Sequence, residues 1–140
     1  MFRSRRRLMA PRESDLGTAE LEVLKALWER RRATVRQVLN QLHEQGRRLA
    51  YTTVLTVLTR LEQKGFVKSD KSGMAYVYRP TVSRAKITKS RLGSLIEQLY
   101  DGAAGPLVLQ LMREKKFSAD EIAELQKLID QVDKRQKPGS

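Results

Sequence analysis

Several residue types that carry chemistry are absent or scarce in this 140-residue chain. It contains no cysteine, which excludes disulfide bonds, thiolate metal sites and cysteine nucleophiles. The only acid close to its single histidine, His43, is the adjacent Glu44, which faces away on a helix, so no base for a nucleophile is indicated. No phosphate-binding glycine loop, nucleophile elbow or metal-ligand cluster occurs. We therefore expect neither an enzyme nor a bound cofactor.

Long hydrophobic runs are also missing. A helix that crosses a bilayer needs about 18 or more consecutive apolar residues, and none of the apolar runs approaches that length. The first residues are rich in arginine, as at the start of an export signal, but no hydrophobic segment follows them. The sequence therefore predicts a cytoplasmic protein without a membrane partner.

Acidic residues are few relative to basic ones. The chain has 28 Lys and Arg against 16 Asp and Glu, a formal net charge of +12. Residues 1–80 hold 17 of the basic residues and 8 of the acidic ones. An excess of this sign favours an anionic partner such as nucleic acid, contacted by the N-terminal half. The arginine-rich residues 1–15 are expected to form a disordered basic arm; the alternative is an arm that lies along phosphates or in a minor groove.

The residues that are present are organised around one stretch, residues 50–64. Four apolar side chains fall at i, i+3, i+4 and i+7, which predicts one buried stripe on a helix: Val54, Val57, Leu58 and Leu61. The opposite face is polar but almost uncharged, and it carries Thr52, Thr53, Thr56, Thr59, Arg60 and Gln63. Small hydroxyl groups allow a helix to approach another surface closely, and they can contact base edges or phosphates. An ordinary amphipathic helix with a threonine-rich exterior is the alternative.

Two helices are predicted before this stretch. The first begins near Thr18 as its cap and buries apolar residues at helical spacing, with Trp28 as a core anchor. The second opens with a capping box from Thr34 to Gln37, and Gly46 is a natural residue for its C-terminal end. His43 lies near that end, where a lone histidine is usually a surface residue.

After Gly65 the periodicity changes to that of strands. Residues 66–69 and 74–79 read as two strands joined by a turn that contains Gly73, and Pro80 ends the second one. Three helices followed by a hairpin are typical of a winged helix-turn-helix, whose third helix enters the major groove. Recognition-helix contacts to DNA are therefore predicted for Tyr51, Thr52, Thr53, Thr56 and Arg60. Contacts to the DNA backbone are predicted for Arg36, Arg47, Arg48, Lys68, Lys71 and Arg79.

The remainder of the chain reads as three further helices rich in apolar residues: one over residues 84–100, a short one from Leu107 to Lys116, and a last one that opens with a capping box from Ser118 to Glu121. Three short helices can scarcely bury this much apolar surface alone, so a homodimer is favoured over packing onto the winged helix. The predicted dimer contacts are Leu95, Leu99, Leu107, Leu111, Ile122, Leu125, Leu128, Ile129 and Val132. The expected fold is mainly α with a small β-hairpin, divided into the arm (1–15), a winged-helix domain (16–82) and a dimerisation domain (83–137).

Several of these stretches together resemble the penicillinase-repressor family, which includes the BlaI, MecI and CopY repressors. The resemblance spans residues 18–135 and is carried by TAELEVLKALW at 18–28, TVRQV at 34–38, LAYTTVLTVLTRL at 49–61, KG at 64–65 and AYVYRP at 75–80. It implies a cytoplasmic dimeric repressor that binds palindromic operators through the third helix and the hairpin. The resemblance also implies that the C-terminal helices form the dimer.

Two departures from the family pattern concern the signal that relieves repression. Staphylococcal members are cut at an Asn-Phe bond, and the matching stretch here is LVLQL at 107–111, with Gln110 and Leu111 at the bond. The scissile pair is therefore changed, although a regulatory protease of another specificity remains a possible partner. Members that sense copper end in cysteine pairs, which this chain lacks.

The sequence thus predicts a sequence-specific, homodimeric DNA-binding repressor that is released by proteolysis or by another signal in its C-terminal lobe. The alternative within the same class is a winged-helix regulator that senses a small ligand. A structural or RNA-associated basic protein is weaker, because it needs exposed aromatic platforms and only 6% of the residues are aromatic.

Overall fold

The computed structural model describes residues 16–137, and the arm predicted for residues 1–15 lies outside this range. The chain divides into two compact units, Met1–Leu95 and Ile96–Ser140. The division falls within the helix Arg84–Tyr100, whereas the predicted boundary after residue 82 lies just before that helix begins. The helices are α1 (Thr18–Arg30), α2 (Val35–Glu44), α3 (Tyr51–Gln63), α4 (Arg84–Tyr100), α5 (Ala104–Glu114) and α6 (Ala119–Gln136); the strands are β1 (Ala33–Thr34), β2 (Val67–Asp70) and β3 (Val77–Pro80).

The first unit is a winged helix-turn-helix, as predicted. Its three strands form an antiparallel sheet in the order β1-β3-β2, so the hairpin of β2 and β3 is extended by a short strand that lies between α1 and α2. Strand β1 was not predicted, because two residues are too few to show an alternating pattern. The second hairpin strand begins at Val77, three residues later than predicted, and residues 71–76 form a longer loop at the tip.

The core of this unit is formed by the predicted apolar stripes together with the base of the sheet. The stripe of α3 is fully confirmed, since none of its four side chains is more than 4% exposed. Phe66 and Tyr78 are the largest side chains buried with them. Trp28, by contrast, is only half-buried, and its indole Nε1 donates a hydrogen bond to the Val82 carbonyl at 2.8 Å. It fastens the end of the sheet to α1 from the edge of the core.

Glycines end α2 and α3 in the same way. Gly46 and Gly65 have φ values of +87° and +88°, which other residues rarely adopt. After α2 the Arg47 amide donates to the Leu42 carbonyl, and after α3 the Phe66 amide donates to the Leu61 carbonyl. These six-residue closures satisfy the last carbonyls and turn the chain sharply. They fix the direction in which each helix leads into the next element.

The capping boxes at Thr34 and Ser118 are confirmed, but α1 begins differently from the prediction. Gly17 is its N-cap, and Thr18 is its first helical residue. The Glu20 carboxylate accepts the Gly17 amide at 2.8 Å and also the Lys64 ammonium at 2.8 Å and 3.0 Å. A buried carboxylate therefore links the start of α1 to the end of α3.

In the second unit α5 begins at Ala104, three residues before its predicted start. Pro106 lies in the first turn, where its missing N–H has no helical partner to lose. The chain bends between α4 and α5 at Asp101 and Gly102, which both have positive φ.

The Glu20–Lys64 ion pair predicts a pH-dependent part of the stability. Burial alone raises the pKa of Glu20, but the Gly17 amide and the Lys64 ammonium outweigh it, so the pKa lies below its ordinary value of 4.5. The pair therefore stabilises the fold above that value, and this stability is lost as the pH falls through the lowered pKa. We expect Glu20→Gln to reduce the free energy of unfolding at pH 7 by about 1–3 kcal/mol.

Urea unfolding at pH 7 and at pH 3 measures this effect. The difference between Glu20→Gln and the parent chain should shrink at the lower pH. Glu44→Gln, at an exposed position of α2, is the control and should change little at either pH. A difference that is the same at both pH values would contradict the prediction.

Candidate nucleic-acid interface

The outer face of α3 is the most unusual surface of the first unit. All five residues predicted to contact DNA from this helix are exposed: Tyr51, Thr52, Thr53, Thr56 and Arg60. The burial of the opposite stripe determines this orientation, because residues at i, i+3, i+4 and i+7 share the buried face and the positions on the other side of the helix therefore point outward. The Thr59 hydroxyl, one turn further along, donates to the Leu55 carbonyl at 2.9 Å. The face is therefore a patch of small hydroxyl groups with one guanidinium at its far end.

The start of α3 is open to an anion. Its N-cap is Ala50, which has no side chain that can accept a hydrogen bond from the first turn. The Thr53 and Val54 amides bond to the Ala50 carbonyl, whereas the amides of the first two helical residues point away from the helix. Such an end carries partial positive charge and favours a phosphate.

The turn that leads into α3 is held by two polar contacts. The His43 Nε2 lies 2.9 Å from the Leu49 carbonyl oxygen, so this nitrogen carries the proton and donates. The Arg47 guanidinium donates two hydrogen bonds to the Glu22 carboxylate, from Nε at 2.6 Å and from Nη2 at 3.0 Å. His43 is thus a half-buried structural residue, and not the surface residue that the sequence suggested. Arg47 already has a carboxylate partner on α1, which competes with a phosphate for its guanidinium.

Residues 67–80, here called the wing, are tied to α3 by one carboxylate. Glu62 accepts hydrogen bonds from the Ser69 amide at 3.2 Å and from the Ser69 hydroxyl at 2.6 Å. Next to Ser69, at the end of β2, the Asp70 carboxylate accepts from the Ser72 hydroxyl and amide, which lowers the pKa of Asp70. The wing therefore leaves the body of the unit at a defined angle.

The other predicted backbone contacts are exposed cations: Arg36, Arg48, Lys68, Lys71 and Arg79. Lys68 and Arg79 lie directly opposite each other on β2 and β3. Like charges in that position destabilise a hairpin. The cost is offset when a polyanion lies against the strands, as it does in a protein that binds a phosphate backbone.

A groove of about 310 Å³ separates the start of α3 from the tip of the wing. We call it the tyrosine groove, and its lining consists of Thr34, Val35, Arg36, Tyr51, Met74, Ala75 and Tyr76. The Arg36 guanidinium lies 4.9 Å from the centre of the Tyr51 ring, and the Lys71 ammonium lies 5.4 Å from the centre of the Tyr76 ring. Met74 and Tyr76 were not predicted as site residues, because the sequence pattern places them inside a strand.

In the second unit, most of the predicted dimer residues are exposed. Of the larger side chains, Leu99 is 67% exposed, Ile129 is 61% exposed and Leu128 is 53% exposed. No residue between positions 96 and 137 is buried. Phe117, Leu125 and Leu128 line an apolar hollow of about 340 Å³ whose rim carries the acidic residues Asp120, Glu121 and Glu124.

The predicted cleavage position, Gln110–Leu111, lies in the middle of α5. The Gln110 side chain donates to the Glu114 carboxylate one turn later. Proteases bind extended chains, so α5 must unwind locally before this bond can be cut.

Two negative findings apply to residues 16–137. No helix there has the length and apolar character needed to cross a bilayer. That part of the chain also holds no cluster of three or more histidine and carboxylate side chains placed to bind a metal ion.

The sequence signature of the family described as "Penicillinase repressor" matches residues 16–131, which is most of the chain. The chain belongs to the penicillinase repressor family. A "Penicillinase repressor" of Bacillus licheniformis is 28% identical over 122 residues, which cover 87% of this chain and 94% of that protein. A "Methicillin resistance regulatory protein MecI" of Mammaliicoccus sciuri is 28% identical over 116 residues, covering 83% of this chain and 94% of that protein.

A solved structure with a similar fold is the solution structure of the DNA-binding domain of the repressor BlaI. It has 28% sequence identity and a TM-score of 0.47, and the match covers 54% of this chain and 92% of that domain. Membership of the penicillinase repressor family makes this chain a DNA-binding transcriptional repressor, in agreement with the expectation from its residues.

The contact between Glu62 and Ser69 generates a prediction about the wing. We expect Glu62→Ala to loosen the hairpin, because both hydrogen bonds to a charged acceptor are lost. Amide hydrogen exchange of β2 and β3 should become about tenfold faster, which corresponds to about 1.4 kcal/mol. In Glu62→Ala, amide exchange at the buried residues of α1 should stay unchanged. Glu44→Ala is the control, and exchange should be unchanged throughout the unit in that variant. Equal acceleration throughout the unit would show that Glu62 supports the whole core and not the wing.

Proposed function

We propose that this repressor binds DNA as a homodimer, with each α3 in the major groove of one half of a palindromic operator. The observation that carries the proposal is the exposed hydroxyl face of α3 above a completely buried apolar stripe. A solvated helix face usually carries lysine and glutamate, whereas this face is nearly uncharged and can approach base edges closely. The N-terminal residues of a recognition helix contact the bases, and here they are Tyr51, Thr52 and Thr53.

The contacts that position the protein come from the cations around this face. Arg36 and Arg48 flank the start of α3, while Lys68, Lys71 and Arg79 are carried by the wing. Each has its charged group on the exposed surface of the first unit. These residues supply affinity for any duplex, and they set the register of α3 in the groove. The uncapped first turn of α3 adds a further site for a phosphate.

This proposal predicts that two threonines carry sequence preference. Thr53→Ala or Thr56→Ala should weaken binding to the best operator by about 1–3 kcal/mol and leave binding to random duplexes unchanged. Thr59→Ala is the matched control on the same helix, because it lies further from the N-terminus and its hydroxyl bonds to Leu55. Titration of a duplex selected from a randomised pool, alongside a scrambled duplex, measures both affinities. An equal loss on both duplexes would rule out base contacts by these residues.

The proposed homodimer is supported by the exposed apolar surface of the C-terminal helices. Helices α5 and α6 carry large apolar side chains, and the structure buries none of them within the chain. A segment of about 40 residues cannot maintain such an exposed apolar surface without a partner. A second copy of the chain supplies a matching surface, because the same patch occurs on both copies and a two-fold axis brings the patches together.

Dimerisation gives the repressor its affinity for a palindrome. One α3 reads only a few base pairs, so a monomer gains little over non-specific binding. When two winged-helix units are joined by the C-terminal helices and one of them is bound, the other meets the second half-site at high effective concentration. The two-fold symmetry then requires half-sites that are about one helical turn, roughly 34 Å, apart.

Two substitutions on α6 test the role of the dimer. Leu128→Glu combined with Ile129→Glu introduces charges into the apolar face, and sedimentation should show a monomer. Operator affinity should fall about 100-fold or more, while the winged helix stays folded because its core lies in the other unit. Gln126→Glu adds a charge at an exposed polar position of the same helix and should leave both properties intact. A monomer that binds the palindrome as tightly as the parent chain would refute the proposal.

Release of the operator by proteolysis fits the same arrangement. A cut at Gln110–Leu111 separates α6 from the winged helix, so it removes dimer contacts and leaves α3 untouched. Because the bond lies within an ordered helix, the inactivating signal has to unwind α5 or capture it while unwound.

A further inference from the structure

The tyrosine groove has features that its position in the wing alone does not require. Its two walls belong to different elements: Arg36 and Tyr51 come from the starts of α2 and α3, and Tyr76 from the tip of the wing. Each wall carries a tyrosine with a cation held over its ring, at 4.9 Å for Arg36 and 5.4 Å for Lys71. No carboxylate lines the groove. It is therefore a positively charged channel with aromatic walls.

The two tyrosines and the methionine of this groove are exposed, whereas large apolar side chains with a purely structural role are usually buried. Tyr51 is 41% exposed, Tyr76 is 47% exposed, and Met74 at the wing tip is completely exposed. An exposed methionine beside an exposed tyrosine costs solvation free energy unless something covers them. A sugar–phosphate chain can cover them, since the sugar offers apolar edges to Met74 and Tyr76 and the phosphates face the cations.

We propose that one strand of the bound duplex runs through the tyrosine groove, with Arg36 and Lys71 on phosphates of that same strand. This rests on the proposed DNA-binding function and deepens it. Charge complementarity selects the occupant, because Arg36 lines the groove, Lys71 lies against the ring of the lining residue Tyr76, and no carboxylate is part of the lining. Tyr51 and Tyr76 are positioning residues that hold the two cations over the strand by cation–π contact.

The first test uses the tyrosines. A cation–π contact at an exposed site is worth a factor of about two to five in affinity. Tyr51→Leu and Tyr76→Leu should each weaken binding to all duplexes by about that factor, and the slope of affinity against salt should become shallower. Tyr51→Phe and Tyr76→Phe keep the aromatic face and should rescue both properties. An unchanged affinity for duplexes in the leucine variants would overturn the proposal and favour a small ligand as the occupant of the groove.

The second test locates the phosphates. The duplex is one that the full-length protein selects from a randomised pool, and its phosphates are replaced one at a time by neutral methylphosphonates. Neutralising the phosphate that Arg36 contacts should lower the affinity of the parent protein for the duplex several-fold. The same neutral phosphate should cause no further loss of affinity in Arg36→Gln, which has already lost that contact. Lys71→Gln should identify a second phosphate in the same way. The two should lie on one strand within about three nucleotides, since each nucleotide advances its strand by about 3.4 Å.

Lys68→Gln is the matched control, because Lys68 lies within β2 opposite Arg79, whereas Lys71 lies 5.4 Å from the ring of the lining residue Tyr76. The phosphate whose neutralisation has no further effect on Lys68→Gln should differ from those identified with Arg36→Gln and Lys71→Gln. If Arg36 and Lys71 couple to opposite strands, or if neither couples to any phosphate, the groove does not hold a strand. If the protein selects no duplex at all, the proposed DNA-binding function itself fails, which is a separate outcome.

Discussion

The burial of one apolar stripe on α3 is the constraint on which the first unit depends. Four side chains of this helix lie in the core with at most 4% of their surface exposed. Burial of such side chains is worth about 1.5–3 kcal/mol each, so rotating the helix about its axis is prohibitively costly. The same burial determines that the threonines face outward and that Tyr51 lies beside Arg36. The chemistry of the surface therefore follows from the packing beneath it.

Polar contacts then hold both ends of α3, and each uses a different neighbouring element. Glu20 on α1 binds Lys64 just after the helix, and Glu62 near its C-terminus binds Ser69 on the wing. At the other end His43 holds the turn through the Leu49 carbonyl. A surface held in this way loses little conformational entropy when a rigid partner binds. Recognition helix and wing can then meet a duplex as one preformed surface.

The two units bury their apolar side chains to different extents, and in the proposed repressor they have different roles. The first has a closed core drawn from three helices and three strands. In the second, Ser118 and Glu121 cap the start of α6, yet none of its described residues is buried. In the proposed homodimer its stability depends on association, so a signal that disturbs α5 or α6 would act on operator binding without damaging α3.

Local patterns in the sequence were enough to predict the helices, the stripe of α3, the capping boxes, the glycine ends and the hairpin, because each depends on residues within one or two turns. The family could also be recognised from these stretches. Contacts between distant residues required the tertiary structure. The partnership of Arg47 with Glu22 spans 25 residues, and that of Glu20 with Lys64 spans 44. The tyrosine groove likewise joins residues 34–36, 51 and 74–76. No periodicity marks such pairs, since only the packing of α1, α2, α3 and the wing brings them together.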